Sequence, residues 1–282
     1  MKFLVTILCL IMTTTGVQAG LVFEKGVQAS VETKYIKSAD VDVQTGEVET
    51  VETYASFQHD FKWGQVPMDW TLGYKHIDIE ESVALTLPSH LEGYSYSVGA
   101  KIPMLFMDAD DKFLGFDVGV TFNTDDGVLE SSAARFPIRS YFIHKWNEQF
   151  LWIVGAGFTA DKDEEWQPLV GFQYKPNDVL SFNFVSTNPN IAYKVGEKWT
   201  LTLEGSIDSD EFEVQRDNDS NVVLKYKSYT AGVGARYAIN DNIFAKISLG
   251  SAFNRRLDYA DDQGKAVLDD ALFASIKISA KF

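Results

Sequence analysis

The sequence predicts an all-β chain, a transmembrane antiparallel up-and-down β-barrel of about fourteen strands. Three observations predict it. Apolar and polar residues alternate with period two along almost every segment. The alternating stretches run to about ten residues, and aromatic residues gather near their ends as if at two interfaces. No convincing helical periodicity competes, and beyond the N-terminus the longest apolar run, Phe150 to Phe158, is too short for a membrane helix.

The first element is a leader. Met1-Lys2, the apolar stretch Phe3 to Met12 and the small-residue site Val17-Gln18-Ala19 have the layout of a secretory signal peptide cleaved after Ala19. The apolar stretch cannot span a bilayer and breaks at Thr13-Thr14-Thr15-Gly16. The expected organisation is therefore 1–19 as signal peptide and 20–282 as one barrel domain, since no linker or low-complexity run divides the rest. The one cysteine, Cys9, falls in the leader. A disulfide framework, Cys-based metal sites and cysteine nucleophiles are thereby excluded from the mature chain.

Alternation places strands at 27–37, 51–62, 66–78, 93–103, 113–123, 134–146 and 149–160, then at 167–175, 178–186, 190–195, 198–208, 222–238, 241–253 and 271–282. Two short strands around Ser186-Thr187-Asn188-Pro189 are preferred to one long one, because Pro189 would interrupt a ladder. Twelve strands result if a hairpin is miscounted. Pro137 inside 134–146 calls for a bulge or a strand end, since it removes a ladder donor.

The connections alternate in character. Gly64-Gln65, Leu105 to Lys112, Asn147-Glu148, Pro176-Asn177, Gly196-Glu197 and Asn240 suit short periplasmic turns. The other side holds 38–50, 79–92, 124–133, 161–166, 187–189, 209–221 and 254–270, read as mostly longer extracellular loops. These carry 24 of the chain's 40 acidic residues, so the formal charge of −15 belongs to one rim. Nucleic acid is excluded as a partner, because phosphate binding needs clustered Lys and Arg. Trp63, Trp146, Phe150, Trp199 and Phe282 are expected in one aromatic girdle, and Tyr35, Tyr94 and Phe122 toward the other.

The final strand carries a resemblance. Apolar residues at every second position before a terminal Phe, in Ala274-Ser-Ile-Lys-Ile-Ser-Ala-Lys-Phe282, resemble the assembly signal of bacterial outer-membrane proteins, with Ala280 in place of the usual aromatic third from the end. The run Pro168 to Asp178, with Asn190-Ile-Ala-Tyr193 and Lys198-Trp199, is also similar to a group of uncharacterised outer-membrane barrels. The resemblance implies outer-membrane localisation, contact with outer-membrane lipid and recognition of the C-terminal strand by the barrel-assembly machinery.

If apolar parity faces lipid, the other parity lines the interior. Glu32, Lys101, Asp117, Arg135, Arg139 and Glu204 are the candidate lumen-lining residues, in a wall that also includes Lys34, Glu52, Asp60, Asp69, Lys75, Lys194, Arg236, Lys246 and Lys277. Both signs occur around the wall, which fits either a water-filled pore or an interior closed by charge pairs. The functional expectation is a porin-like passive channel for small solutes or ions; a closed structural or surface-interaction barrel is the alternative. An outer-membrane hydrolase would need a nucleophile motif, and none surrounds His59, His76, His90 or His144; Ser140 with His144 is the best pair available. No catalytic residue and no cofactor is assigned. Acid-rich runs such as Asp161 to Glu165 and Asp258 to Asp262 present oxygen ligands for divalent cations, without a complete calcium-loop spacing.

Overall fold

The computed structural model describes residues 26–41, 44–82, 87–104, 111–127, 131–160, 166–185, 188–216, 220–260 and 264–282. The leader and its cleavage site lie outside the described residues. Fifteen strands follow one another: β1 (Gly26–Val41), β2 (Gln44–Trp63), β3 (Val66–Glu81), β4 (His90–Pro103), β5 (Lys112–Thr124), β6 (Ala134–Lys145), β7 (Phe150–Ala160), β8 (Trp166–Tyr174), β9 (Leu180–Asn183), β10 (Asn190–Val195), β11 (Trp199–Arg216), β12 (Ser220–Ala238), β13 (Ile243–Tyr259), β14 (Lys265–Leu268) and β15 (Ala271–Lys281). Successive strands pair antiparallel. Both β14 and β15 lie between β13 and β1, so they are two halves of one strand interrupted at Asp269-Asp270, and the ring has fourteen positions. Its seam runs from Gln28↔Lys281 to Ile36↔Phe273, with Val27 and Phe282 exchanging backbone hydrogen bonds at the end. Residues 178–195 form two strands, β9 and β10, as their sequence suggested.

At the end of the barrel where Val27 and Phe282 meet, three turns use the same device. The Asn147, Asn177 and Asn240 carboxamide oxygens each accept two backbone N–H groups at the start of the next strand, at 2.8–2.9 Å. Trp63, Trp146, Trp199 and Phe282 are exposed at this end, and Phe150 begins β7 there. At the other interface Tyr94 faces Phe122 across β4 and β5, and Tyr35 is exposed. Pro137 sits neither in a bulge nor at a strand end. It pairs with Thr159 on β7, while the β5–β6 ladder omits residues 136 and 137 without changing register. The proline thus removes a donor only where the ladder is already interrupted.

The strands run further than alternation suggested, and segments read as loops at 38–50, 209–221 and 254–270 are largely strand. The reason is a reversal of facing. On β3, Leu72 points to lipid, but higher up Ile77 and Ile79 are buried inward while Asp78 and Glu80 face out. On β11, Leu201, Leu203 and Ile207 point out and Phe212 and Val214 in; on β12, Val233 points out and Leu224 and Tyr226 in. Within the bilayer the outer face must be apolar; above it, water demands the opposite. Glu47, Glu49, Asp78, Glu80 and Asp258 therefore stand on the outer faces of strands above the membrane.

There the barrel also changes size. The β10–β11 ladder ends at Asn190↔Glu204, and β11 continues upward to meet β5 in parallel at Glu213↔Thr124. The Asn123 amide donates to the Glu211 carbonyl (3.0 Å) and the Gln215 N–H to the Asp125 carboxylate (3.1 Å). Burial pushes the Asp125 carboxyl up from its ordinary value, and this backbone hydrogen bond pulls it back. The upper barrel thus contains nine strand positions, β11 to β14 and β1 to β5, while β6 to β10 stop below it.

Candidate functional site

A barrel of about eight strands has an interior just wide enough for side chains to fill, whereas fourteen leave room for water. The interior changes accordingly with height. At the top, Val41, Val48, Ile77, Ile79, Leu91, Phe212, Val214, Leu224, Tyr226, Leu257, Tyr259, Ala266 and Leu268 form one buried cluster. This is a soluble-type core placed across the end of the barrel opposite Trp63 and Phe282.

Directly beneath it lies a layer of buried charge. Lys34 Nζ is 2.7 Å from Glu52 and 3.3 Å from Asp208, while Lys75 Nζ is 2.6 Å from Asp210. The Tyr54 and Tyr226 hydroxyls both donate to Glu52. Lys75 also stands 5.1 Å from the centres of both tyrosine rings. Glu52 is fully buried and Lys34 nearly so. Beside them Arg255 donates to Thr50 (3.2 Å), and its Nε and Nη1 are buried without a hydrogen-bond partner. These contacts tie β1, β2 and β3 to β11, β12 and β13 across the barrel.

Below that layer the paired side chains become part-exposed. Glu32 is 3.4 Å from Lys277, and both side chains are more than a quarter exposed. Lys101 donates to Asp69 (3.0 Å), Glu204 accepts from Lys246 and from Ser248, and Tyr141 donates to Asp117 (3.2 Å). Arg139 lies opposite Asp117 in the ladder and is exposed. Five of the six candidate residues, Glu32, Lys101, Asp117, Arg139 and Glu204, thus lie on the inward face of the lower wall. Arg135 is elsewhere: it is buried at the β5–β11 junction, donating to the Ser132 and Ala134 carbonyls, with Nε 3.9 Å from Glu211.

The middle layer was only partly visible in the sequence. Lys34, Glu52 and Lys75 have inward parity, but Asp210 and Arg255 fall in the segments expected to be loops, 209–221 and 254–270. The continuing alternation Asp210, Phe212, Val214 against Glu211, Glu213 was the available signal.

Tyr141 fits because Gly115 faces it. A Cβ at Gly115 would stand 2.2 Å from the Tyr141 ring. Gly115→Val is expected to displace the ring from Asp117 at a cost of about 1–3 kcal/mol, read as a lower urea midpoint of the refolded barrel. An unchanged midpoint would show that the ring does not pack there.

Ser140 and His144 lie four positions apart on β6, about 13 Å along a strand, so they form no hydrogen-bonded pair. His144 lies instead 3.3 Å from Asp111, among Phe142, Trp146 and Trp152. The run Asp161 to Glu165 is outside the described residues, as are Asp261 and Asp262. Among the described residues no His, Asp or Glu cluster has metal-holding geometry.

A closed ring of antiparallel strands with an apolar outer belt, aromatic girdles and a charged interior defines a bacterial outer-membrane β-barrel. A family model described as a domain of unknown function, DUF6268, matches residues 119–280, more than half of the chain, and the chain belongs to that family. The fold is similar to that of the COG4313 outer membrane channel from Pseudomonas putida F1, at 11% identity and a TM-score of 0.51 over 95% of this chain and 99% of that one. The KdgM porin matches at 9% identity and a TM-score of 0.38, covering 90% of this chain and 99% of its own. The Pseudomonas putida toluene transporter TodX gives 9% and 0.39, over 92% and 89%. At these identities the likeness is one of fold. No curated protein matches the chain.

Proposed function

We propose that this barrel is a porin-like passive channel for small solutes, exported by its leader and set in the outer membrane with its narrow end outward. The observation that supports the reading is the graded interior: exposed Arg139 and part-exposed Glu32 and Lys277 below, against Glu52 and the apolar cluster sealed above. A wall lined by water-accessible charge of both signs suits permeation of small polar solutes, and the buried layer is the resistance in their path.

Single-channel recording of the refolded chain in a planar bilayer tests this, with heat-modifiable gel migration as the folding control. The expected result is a small or intermittent current whose ion selectivity shifts when Glu32 and Glu204 are changed to lysine. The buried Lys34–Glu52 layer also suits a closed structural barrel, and a folded protein that stays silent after the outer layer is loosened would decide for that reading.

A further inference from the structure

We infer that the barrel wall contains a side window between β8 and β11, opening the lower chamber to the outer leaflet and admitting small apolar solutes. The ladders outline it. Strand β8 spans the bilayer from Tyr174 to Trp166, yet it pairs with β9 only at Gln173↔Asn183 and Tyr174↔Phe182, with the Phe184 N–H reaching the Phe172 carbonyl just above. Strands β9 and β10 have four and six residues, about half the height of a membrane strand. On the far side the β10–β11 ladder stops at Glu204, apart from the Gly205 N–H donating to the Pro189 carbonyl. Above that level β11 leans away to β5, and no ladder joins β8 to β11 among the described residues.

The gap lies at lipid height, for its outer rim is apolar and exposed: Trp166, Val170, Phe184, Leu203 and Ile207. Backbone at that depth is tolerated only where it is covered by protein or lines a watery cavity. Here the partial cover is local. The segment Phe184–Val185 folds in against Gly171, where a Cβ would stand 2.1 Å from the Phe184 carbonyl oxygen. Val185 and Leu169 then pack on an inward apolar patch formed by Tyr141, Ile143, Leu151 and Ile153. Such a patch is unusual low in the barrel, where the inner wall otherwise presents the charged groups Glu32, Lys101, Asp117, Arg139, Glu204 and Lys277. It runs from the window into the chamber, and its half-buried cover, Phe113, Leu169 and Val185, leaves some apolar surface that neither ions nor sugars require.

The window stands on the ladders alone; only the passage of solute through it rests on the channel reading. Single cysteines in a Cys9→Ser background carry a bimane label at Leu169→Cys beside the window, at Lys277→Cys on the opposite inner wall, and at Leu272→Cys on the lipid face. Vesicles containing doxyl-labelled phosphatidylcholine report lipid access, and iodide reports water access. The Leu169 label is expected to be quenched by doxyl lipid to within about twofold of the Leu272 label, while the Lys277 label responds to iodide alone. Ile153→Cys serves as a second position if Leu169→Cys fails to fold. A Leu169 label reached by iodide only, or by neither quencher, overturns the window and includes the case of a second barrel sealing it. Naphthalene is expected to shift the emission of the Leu169 label and sucrose to leave it unchanged; a window that lipid reaches but naphthalene does not perturb overturns the choice of solute. A silent barrel in the conductance measurement would sink the channel reading without touching the quenching result.

Discussion

Glu52→Ala is expected to lower the stability of the refolded barrel by about 3–5 kcal/mol, the usual cost of removing one member of a buried ion pair. Glu52 is fully buried and accepts from Lys34, Tyr54 and Tyr226 at once, so its loss leaves an ammonium and two hydroxyls without their acceptor. Urea unfolding followed by tryptophan fluorescence measures it. The informative control is Glu52→Gln combined with Lys34→Met, which removes both charges but keeps a carbonyl oxygen for the tyrosines. That double variant should recover most of the loss, because in low dielectric the penalty lies in the uncompensated charge more than in the missing attraction. If Glu52→Ala unfolds at the wild-type midpoint, water fills the layer and the barrel is not sealed there.

Phe212→Ala should have a comparable cost, about 3–5 kcal/mol, by opening a cavity in the outer cluster. Phe212 is fully buried among Val48, Ile77, Leu91 and Leu224. The same substitution should raise the time-averaged current, since it removes volume from the plug without disturbing the wall. A destabilised barrel whose current is unchanged would mean that the cluster supports the upper strands without obstructing the path. The two variants together separate an electrostatic seal from a steric one.

The sequence carried the wall well and the interior unevenly. Strand number, direction of alternation and the periplasmic turns were legible because a side chain facing lipid and its neighbour facing water differ in kind at every step. The upper halves of β1, β2 and β11 to β13 escape any single facing rule carried along whole strands. When the inner face becomes apolar at Ile77, Phe212 and Leu224, the pattern continues with its sense inverted, and the many outward acids make it resemble loop. Arg255 was hidden further by a break in the β12–β13 register at Lys227/Tyr229, beside Asn254 with φ of 49°. An extra residue at that point shifts the alternation, so no parity argument carried through from Leu249 would have placed Arg255 inside.

The meeting of β5 with β11 was not legible at all. Parallel contact between strands so far apart in the chain has no local signature, and Arg135, chosen for inward parity, serves that junction instead of the chamber. The short β9 and β10 were visible as segments, but their consequence was not, since a missing half-strand matters only when its neighbours are known.

The level at which facing inverts also acts as a ruler. On β12 the outward rings of Tyr237 and Tyr229 are eight steps apart, about 27 Å of strand and about 20 Å along the normal at a 40° tilt. Above Tyr229 the outer face carries Lys227 and Lys225, so the only apolar margin left is Ile239, two steps below Tyr237 on the same face. The barrel is therefore cut for a thin hydrocarbon slab, and in thicker lipid it would have to tilt or draw the surrounding leaflets inward, at the cost of hydrophobic mismatch. The upper strands hold this fit rigid, because the core inside them prevents the rim from sliding down into the bilayer.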